Sequence, residues 1–281
     1  MTQSLSAKRF YISADIEGIA GVASRDNLMP GRFEYEQARD WMTDAVLAAC
    51  ETLTELGATE VVVSDSHGNG QNIRYERMPE YVRLVRSWPR PLGMMQGIES
   101  GRYDGALLVG YHAGAGNIGG TLSHTVSGHF FQEIRLNGVP ASEALISAAI
   151  AGHHGVPVLL VAGDDVEVAE TSALLPGIAT ACLKSSTGFL STNTLSPRAA
   201  DRVLREGVEA AVSKVGAIEP HVVSGPIDLE LRLRSRFMAE WLSYLQGVER
   251  IDAFTIRHTC PDIVAVSRFL QFLTSAKEAL A

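Results

Sequence analysis

Three things are scarce or scattered in this sequence, and each scarcity closes off a kind of protein. Cysteine occurs only as Cys50, Cys182 and Cys260, an odd number, far apart and without CxxC spacing. That argues against a disulfide framework and a thiolate zinc site, and leaves three small apolar residues expected to be buried and reduced. Proline is sparse, 11 residues in 281, against 46% hydrophobic and 20% charged. This profile excludes disordered and collagenous classes, and a chain this long buries roughly three-quarters of its unfolded surface. Positive charge is outweighed, 24 Lys+Arg against 32 Asp+Glu, and the arginines at 83, 86 and 90 and at 232, 234 and 236 are spread among apolar residues. Nucleic-acid binding draws on clustered cations, so no nucleic-acid partner is expected.

Long apolar runs are missing as well. The run 156–162 is far below the ~20 residues of a membrane span, and residues 1–9 lack the apolar stretch of a signal peptide. A cytoplasmic protein without a membrane partner is expected. What the chain holds in surplus is acid and histidine: a formal net charge of −8 with eight His. That surplus is suited to holding cations.

Strands are expected at 10–14, 61–63, 105–109, 130–136, 156–162 and 178–183, several of them continuously apolar, as strands buried on both faces are. Helical periodicity covers 34–56, 142–154 and 166–175, and 79–85 also reads as a helix. Asn137-Gly138 marks a two-residue hairpin. The alternation implies crossover connections, hence an α/β fold with a mostly parallel central sheet flanked by helices. After Ser196-Pro197 the texture changes, to a helix at 198–215, a strand at 222–234, a helix at 237–245, a strand at 251–256 and a closing helix at 263–280. The expected organisation is a core over 8–195 and a smaller C-terminal α+β subdomain over 196–281, integrated with the core. That last third carries few candidate catalytic groups.

Acidic and histidine-bearing segments fall at or just after strand ends, where ligands bind in open α/β sheets. In Asp15-Ile16-Glu17 the extended chain aims both carboxylates at one point, although a solvated strand end is the plainer account. Ser64-Asp65-Ser66-His67 follows the valine run, and Gly110-Tyr111-His112 follows the 106–109 run, so both histidines arrive beside that pair. Glu143 falls in the first turn of an expected helix, where the dipole alone would favour it. Asp15, Glu17, His67, His112 and Glu143 together form a carboxylate–imidazole set without thiolates. Such a set suits catalytic Zn²⁺, Mn²⁺ or Co²⁺, and five ligands fit a binuclear site with one bridging carboxylate. His124, in the Gly-rich stretch 119–124, is a further candidate or a polar loop histidine. His153 and His154 suit a helix end, and Asp164-Asp165 reads as a helix cap.

These segments, in this order and covering about residues 10–200, resemble the DppA-type D-aminopeptidases, a family of binuclear zinc metallopeptidases. The resemblance implies two Zn²⁺ per subunit bridged by Asp15, with Glu17 and His112 completing one site and His67 and Glu143 the other. His124 matches the residue that the family assigns as catalytic and describes as a nucleophile; with a metal-bound hydroxide as the attacking species, it would serve instead as general acid/base or as a donor to the tetrahedral intermediate. The implied reaction removes an N-terminal residue, a small D-amino acid such as D-Ala, from short peptides or aminoacyl amides. A homo-oligomer, a decameric ring, is implied too. The run 114–120 departs from the D-Ala-specific pattern and is slightly longer; lying between His112 and His124, it is expected to shape substrate entry. Two other readings stand beside this one: a related metal-dependent amide or ester hydrolase with L- or non-peptide substrates, and a non-catalytic metal-containing binding protein.

Overall fold

The computed structural model describes residues 8–279; residues 1–7 and 280–281, and with them most of the N-terminal segment and Leu280 of the closing helix, lie outside the described residues. The strand β1 (Lys8–Ala14) leads through α1 (Tyr35–Glu55) to β2 (Ala58–Asp65) and β3 (Val82–Val85). Next come β4 (Gly105–Tyr111), the hairpin of β5 (Phe131–Leu136) and β6 (Val139–Pro140), and α2 (Glu143–His153). The chain continues with β7 (Val158–Asp164), α3 (Asp165–Leu174), β8 (Ala179–Gly188), β9 (Ser191–Thr194) and α4 (Pro197–Val212). It closes with β10 (Ile227–Leu233), α5 (Arg236–Leu242), β11 (Val248–Arg250), β12 (Thr255–Cys260) and α6 (Ile263–Ala279).

Seven strands make one sheet in the order β3-β2-β1-β4-β7-β8-β9, parallel throughout except for the β8–β9 hairpin. Every residue of β4 and β7 is buried, in keeping with their apolar runs Ala106–Val109 and Val158–Ala162. The order runs outward in both directions from the β1–β4 pair. Crossovers from these two strands therefore leave toward opposite faces, and a crevice opens beyond their carboxyl ends. One face is covered by α1 and α4, through Met42, Val46, Leu204 and Val208 on Phe10 and Ile12. The other is covered by α2, α6 and a second sheet, with Ile150, Leu270, Phe131 and Leu231 in one continuous core.

The second sheet is antiparallel, in the order β11-β12-β10-β5-β6. Its strands β5 and β6 come from between β4 and α2, whereas β10, β11 and β12 come from the last third of the chain. The α/β class expected from the sequence is the class observed.

Three local expectations are corrected. Residues 79–85 are not helical: Val82–Val85 is an edge strand, because a V-R-L-V run finds its backbone partners in the parallel ladder to Val61–Ser64 of β2. The strand expected at 251–256 begins only at Thr255, since the Asp252 carboxylate accepts from the Phe254 and Thr255 N–H groups and folds the segment into a turn between β11 and β12. Cys182 is exposed, unlike Cys50 and Cys260, because β8 alternates buried and exposed positions and Cys182 falls on the outer set.

Candidate metal centre

The crevice at the switch point gathers every residue that the sequence placed there. Asp15 and Glu17 follow β1, His67 follows β2, His112 follows β4, and Glu143 opens α2 behind its Ser142 N-cap. All five are buried. The β1 and β4 loops approach so closely that only glycine fits at their crossing. A Cβ on Gly18 would lie 1.9 Å from the Tyr111 carbonyl oxygen, and one on Gly110, whose φ is 77°, would lie 2.2 Å from that of Asp15. The loop carrying His67 is folded around the buried Asp65 carboxylate, which accepts from the N–H groups of Asn72 and Ile73 and from the Asn72 side-chain amide.

His124 joins the cluster from the loop after β4. Its ring stacks on His112 with centroids 4.2 Å apart. Leu122 and Val126, two residues to either side of it, both hold positive φ, at 57° and 62°. Bulky side chains rarely adopt that conformation, and such strain persists where packing and function over-determine it. At Val126 it aims the main-chain N–H at Glu143 Oε1, 2.7 Å away.

The three imidazoles share one arrangement. His67 Nε2 lies 2.9 Å from the Leu28 carbonyl oxygen, His112 Nδ1 3.0 Å from that of Ala113, and His124 Nδ1 2.9 Å from that of Leu122. A carbonyl only accepts, so each of these nitrogens carries a proton and donates. In the neutral ring the other nitrogen then presents its lone pair. Each of those nitrogens faces carboxylates. His67 Nδ1 is 2.9 Å from Glu17 and 3.4 Å from Asp15, and His112 Nε2 is 3.5 Å from Asp15 and 3.4 Å from Glu143. His124 Nε2 lies at 3.6 Å from Glu143 and 4.0 Å from Glu17. Asp15 Oδ2, Glu17 Oε2 and His112 Nε2 are buried without a hydrogen-bond partner.

Burial works against every charge here. It pushes the Asp15 carboxyl up to about 8, with the neighbouring Glu17 charge adding to the effect. Burial would raise Glu17 too, but the His67 charge overrides it and holds this carboxyl well below its ordinary range. His67 and His112 are lowered by burial and raised more strongly by the surrounding carboxylates, ending well above the usual imidazole value. His124 is lowered, by burial and by its neighbour His112. Buried carboxylates facing imidazoles draw positive charge into the site, as ring protons or as a cation in their place, and the donor set, oxygen and imidazole without sulfur, is that of a catalytic divalent metal.

Two trios of donor atoms lie within 4.8 Å of one another and share Asp15: Asp15–Glu17–His67 and Asp15–His112–Glu143. The resemblance pairs these donors otherwise about the same shared Asp15, setting Glu17 with His112 and His67 with Glu143. A third trio, Glu17–His112–His124, spans the two.

Above the cluster opens a cavity of about 250 Å³, with Trp88, Ile146 and Ile150 on its walls. One wall escaped the sequence reading altogether. Ser267, Leu270, Gln271 and Thr274, at helical spacing on α6, line the cavity from the last third of the chain. Their period was legible, but polar residues on a closing helix read as surface. Lys184 of β8, buried behind the Glu17 loop, was missed for the same reason.

The fold and this site define a class: an α/β protein with a carboxylate–imidazole centre at the switch point of its sheet. The chain belongs to the D-aminopeptidase family of peptidases, whose sequence profile matches residues 8–272. It is a hydrolase acting on peptide bonds. A D-aminopeptidase of Bacillus subtilis (strain 168) is 29% identical over 270 residues, 95% of this chain and 96% of the relative. A solved structure, described as a Zn-dependent D-aminopeptidase DppA from Bacillus subtilis, a self-compartmentalizing protease, superposes with a TM-score of 0.90 at 28% identity. That match covers 97% of this chain and 98% of the other. No helix among the described residues is long and apolar enough to cross a membrane.

Proposed function

We propose that this chain is a zinc-dependent aminopeptidase that removes the N-terminal residue, a small D-amino acid such as D-Ala, from short peptides or aminoacyl amides. One observation carries the metal reading: three imidazoles, each anchored by one nitrogen to a carbonyl, turn the other nitrogen toward three buried carboxylates. The zinc dependence described for the Bacillus subtilis structure, whose fold matches over nearly the whole chain, supports zinc as the ion. Asp15, Glu17 and His67 would hold one ion and Asp15, His112 and Glu143 a second, with Asp15 shared.

Bound there, the ions supply a water of lowered pKa and polarise the scissile carbonyl. The protein's own groups do the rest. His124, partly open to the cavity and outside both Asp15 trios, holds the proton needed by the departing amine and is the catalytic residue. The Leu122 carbonyl fixes its ring, so Nε2 is the atom that gives and takes that proton. Val126 N–H and the Ser142 cap hold Glu143 in place. Ile146, Ile150 and Leu270 offer an apolar wall for a small side chain and exclude water. Self-compartmentalisation, described for the relative, extends in this reading to a closed homo-oligomer of this chain, a decameric ring that admits short peptides only.

Chelation tests the proposal. Stripped protein should lose at least about 99% of its turnover of D-Ala peptides and regain it with zinc, as expected when the groups activating the water are removed. Metal-free protein that keeps full turnover contradicts the reading, and equal turnover of matched L-peptides contradicts its D-selectivity.

A further inference from the structure

Lys184 is a lysine with no solvent and no carboxylate in ion-pairing contact among the described residues. It points inward from β8 and is 2% exposed. An ammonium has three N–H donors, and here all three go to main-chain carbonyls of one loop: those of Glu17, of Ile19 at 3.3 Å and of Val22 at 2.6 Å. The loop is the segment that leaves β1 carrying Asp15 and Glu17. A second tie holds it from outside, where Gly21 N–H donates to Thr194 Oγ1 at 2.7 Å. Burying an unpaired ammonium is costly, and the fold could close this space with an apolar side chain of similar volume. What Lys184 provides that an apolar residue cannot is a fixed path for residues 17–22.

We infer that Lys184 is a positioning residue that sets the Glu17 arm of the metal centre by fastening its loop through three carbonyls. The inference rests on the metal reading above and adds a site-selective consequence. Glu17 takes part in the Asp15–Glu17–His67 and Glu17–His112–His124 trios and has no part in Asp15–His112–Glu143, which is held by Gly110, the β4 loop and the α2 cap. Loosening the 17–22 loop therefore weakens one ion and spares the other, which general damage to the fold would not do.

The test is a competition titration of zinc against a chromophoric chelator on the full chain, with folding checked by circular dichroism. Wild type should take up two ions. Lys184→Met should keep one at wild-type affinity and hold the other about 10- to 100-fold more weakly, the range expected when a support of a metal ligand is removed. Thr194→Val, which loosens the same loop from the exposed side, should shift the same ion in the same direction by less. A folded Lys184→Met protein that binds both ions as wild type does, or loses both equally, overturns the inference. If Lys184→Met does not fold, Thr194→Val decides, and wild-type affinity at both sites overturns it. A wild-type chain that takes up no zinc overturns the metal reading itself, a distinct outcome.

Discussion

At Asp15 a carboxyl is held protonated over much of the range in which carboxylates are normally ionised, because it is buried beside Glu17. In metal-free protein its folded-state pKa of about 8 stands above the ordinary 3.8, so the folded state binds the extra proton between those limits and stability falls as pH rises. His67 and His112, raised above 6.5, contribute stability that is complete below that value and is lost as pH rises further. Glu17, lowered from 4.5, has its contribution in full above that pH and does not oppose the trend. Zinc-free protein should therefore lose melting temperature steadily from about pH 5 to about pH 8, and zinc-loaded protein should not. Calorimetry of the two forms over that range checks this, and parallel curves would contradict it. His124 contributes differently, since neither Asp15 trio needs it. His124→Ala should retain both ions by metal analysis while turnover drops about 10²- to 10⁴-fold; unchanged turnover removes its catalytic role.

Among the elements, α6 has the least expected part. Gln271 sits on the cavity wall, its side-chain amide makes no hydrogen bond among the described residues, and it lies against Gly93, where a Cβ would come within 3.1 Å of the amide nitrogen. Under the proposed function, a side-chain amide without a partner on this wall is placed to bind the main chain of a peptide. Gln271→Ala should raise KM about five- to tenfold, the worth of one hydrogen bond, with kcat and zinc content unchanged. A change in kcat alone would contradict this role.

The elements also show what a sequence conveys. The runs 61–63 and 106–109 announce buried strands because both of their faces are apolar, and the donors His67 and His112 stand directly after them. Val82–Val85 carries no such mark, because its strand character comes from pairing with β2. Which carboxylate meets which imidazole is equally silent in one dimension, since loop folding around Asp65 and the crossing at Gly18 and Gly110 decide it. Lys184 is hidden by its type: a lysine in a strand reads as solvent-facing until the loop that needs it is in place.

At the scale of the molecule, the second sheet ties the chain to itself. β5, from between His124 and Glu143, is laddered to β10 near the other end. The segment carrying the candidate site and the last third of the chain are therefore strands of one sheet. If the proposed ring forms, sedimentation should give one closed species many subunits in size, and kcat/KM should fall steeply once peptides outgrow its lumen. A monomer with length-independent turnover would contradict that.

The order of synthesis gives the α6 wall another meaning. All six clustered side chains lie between Asp15 and Glu143, whereas the cavity-lining stripe on α6 spans Ser267 to Thr274. A ribosome therefore releases the complete candidate donor set more than a hundred residues before the segment that closes the cavity wall. Because Val266 and Leu270 of the same helix pack in the core with Ile150 of α2, the donors and the cavity wall are completed together, at the end of synthesis.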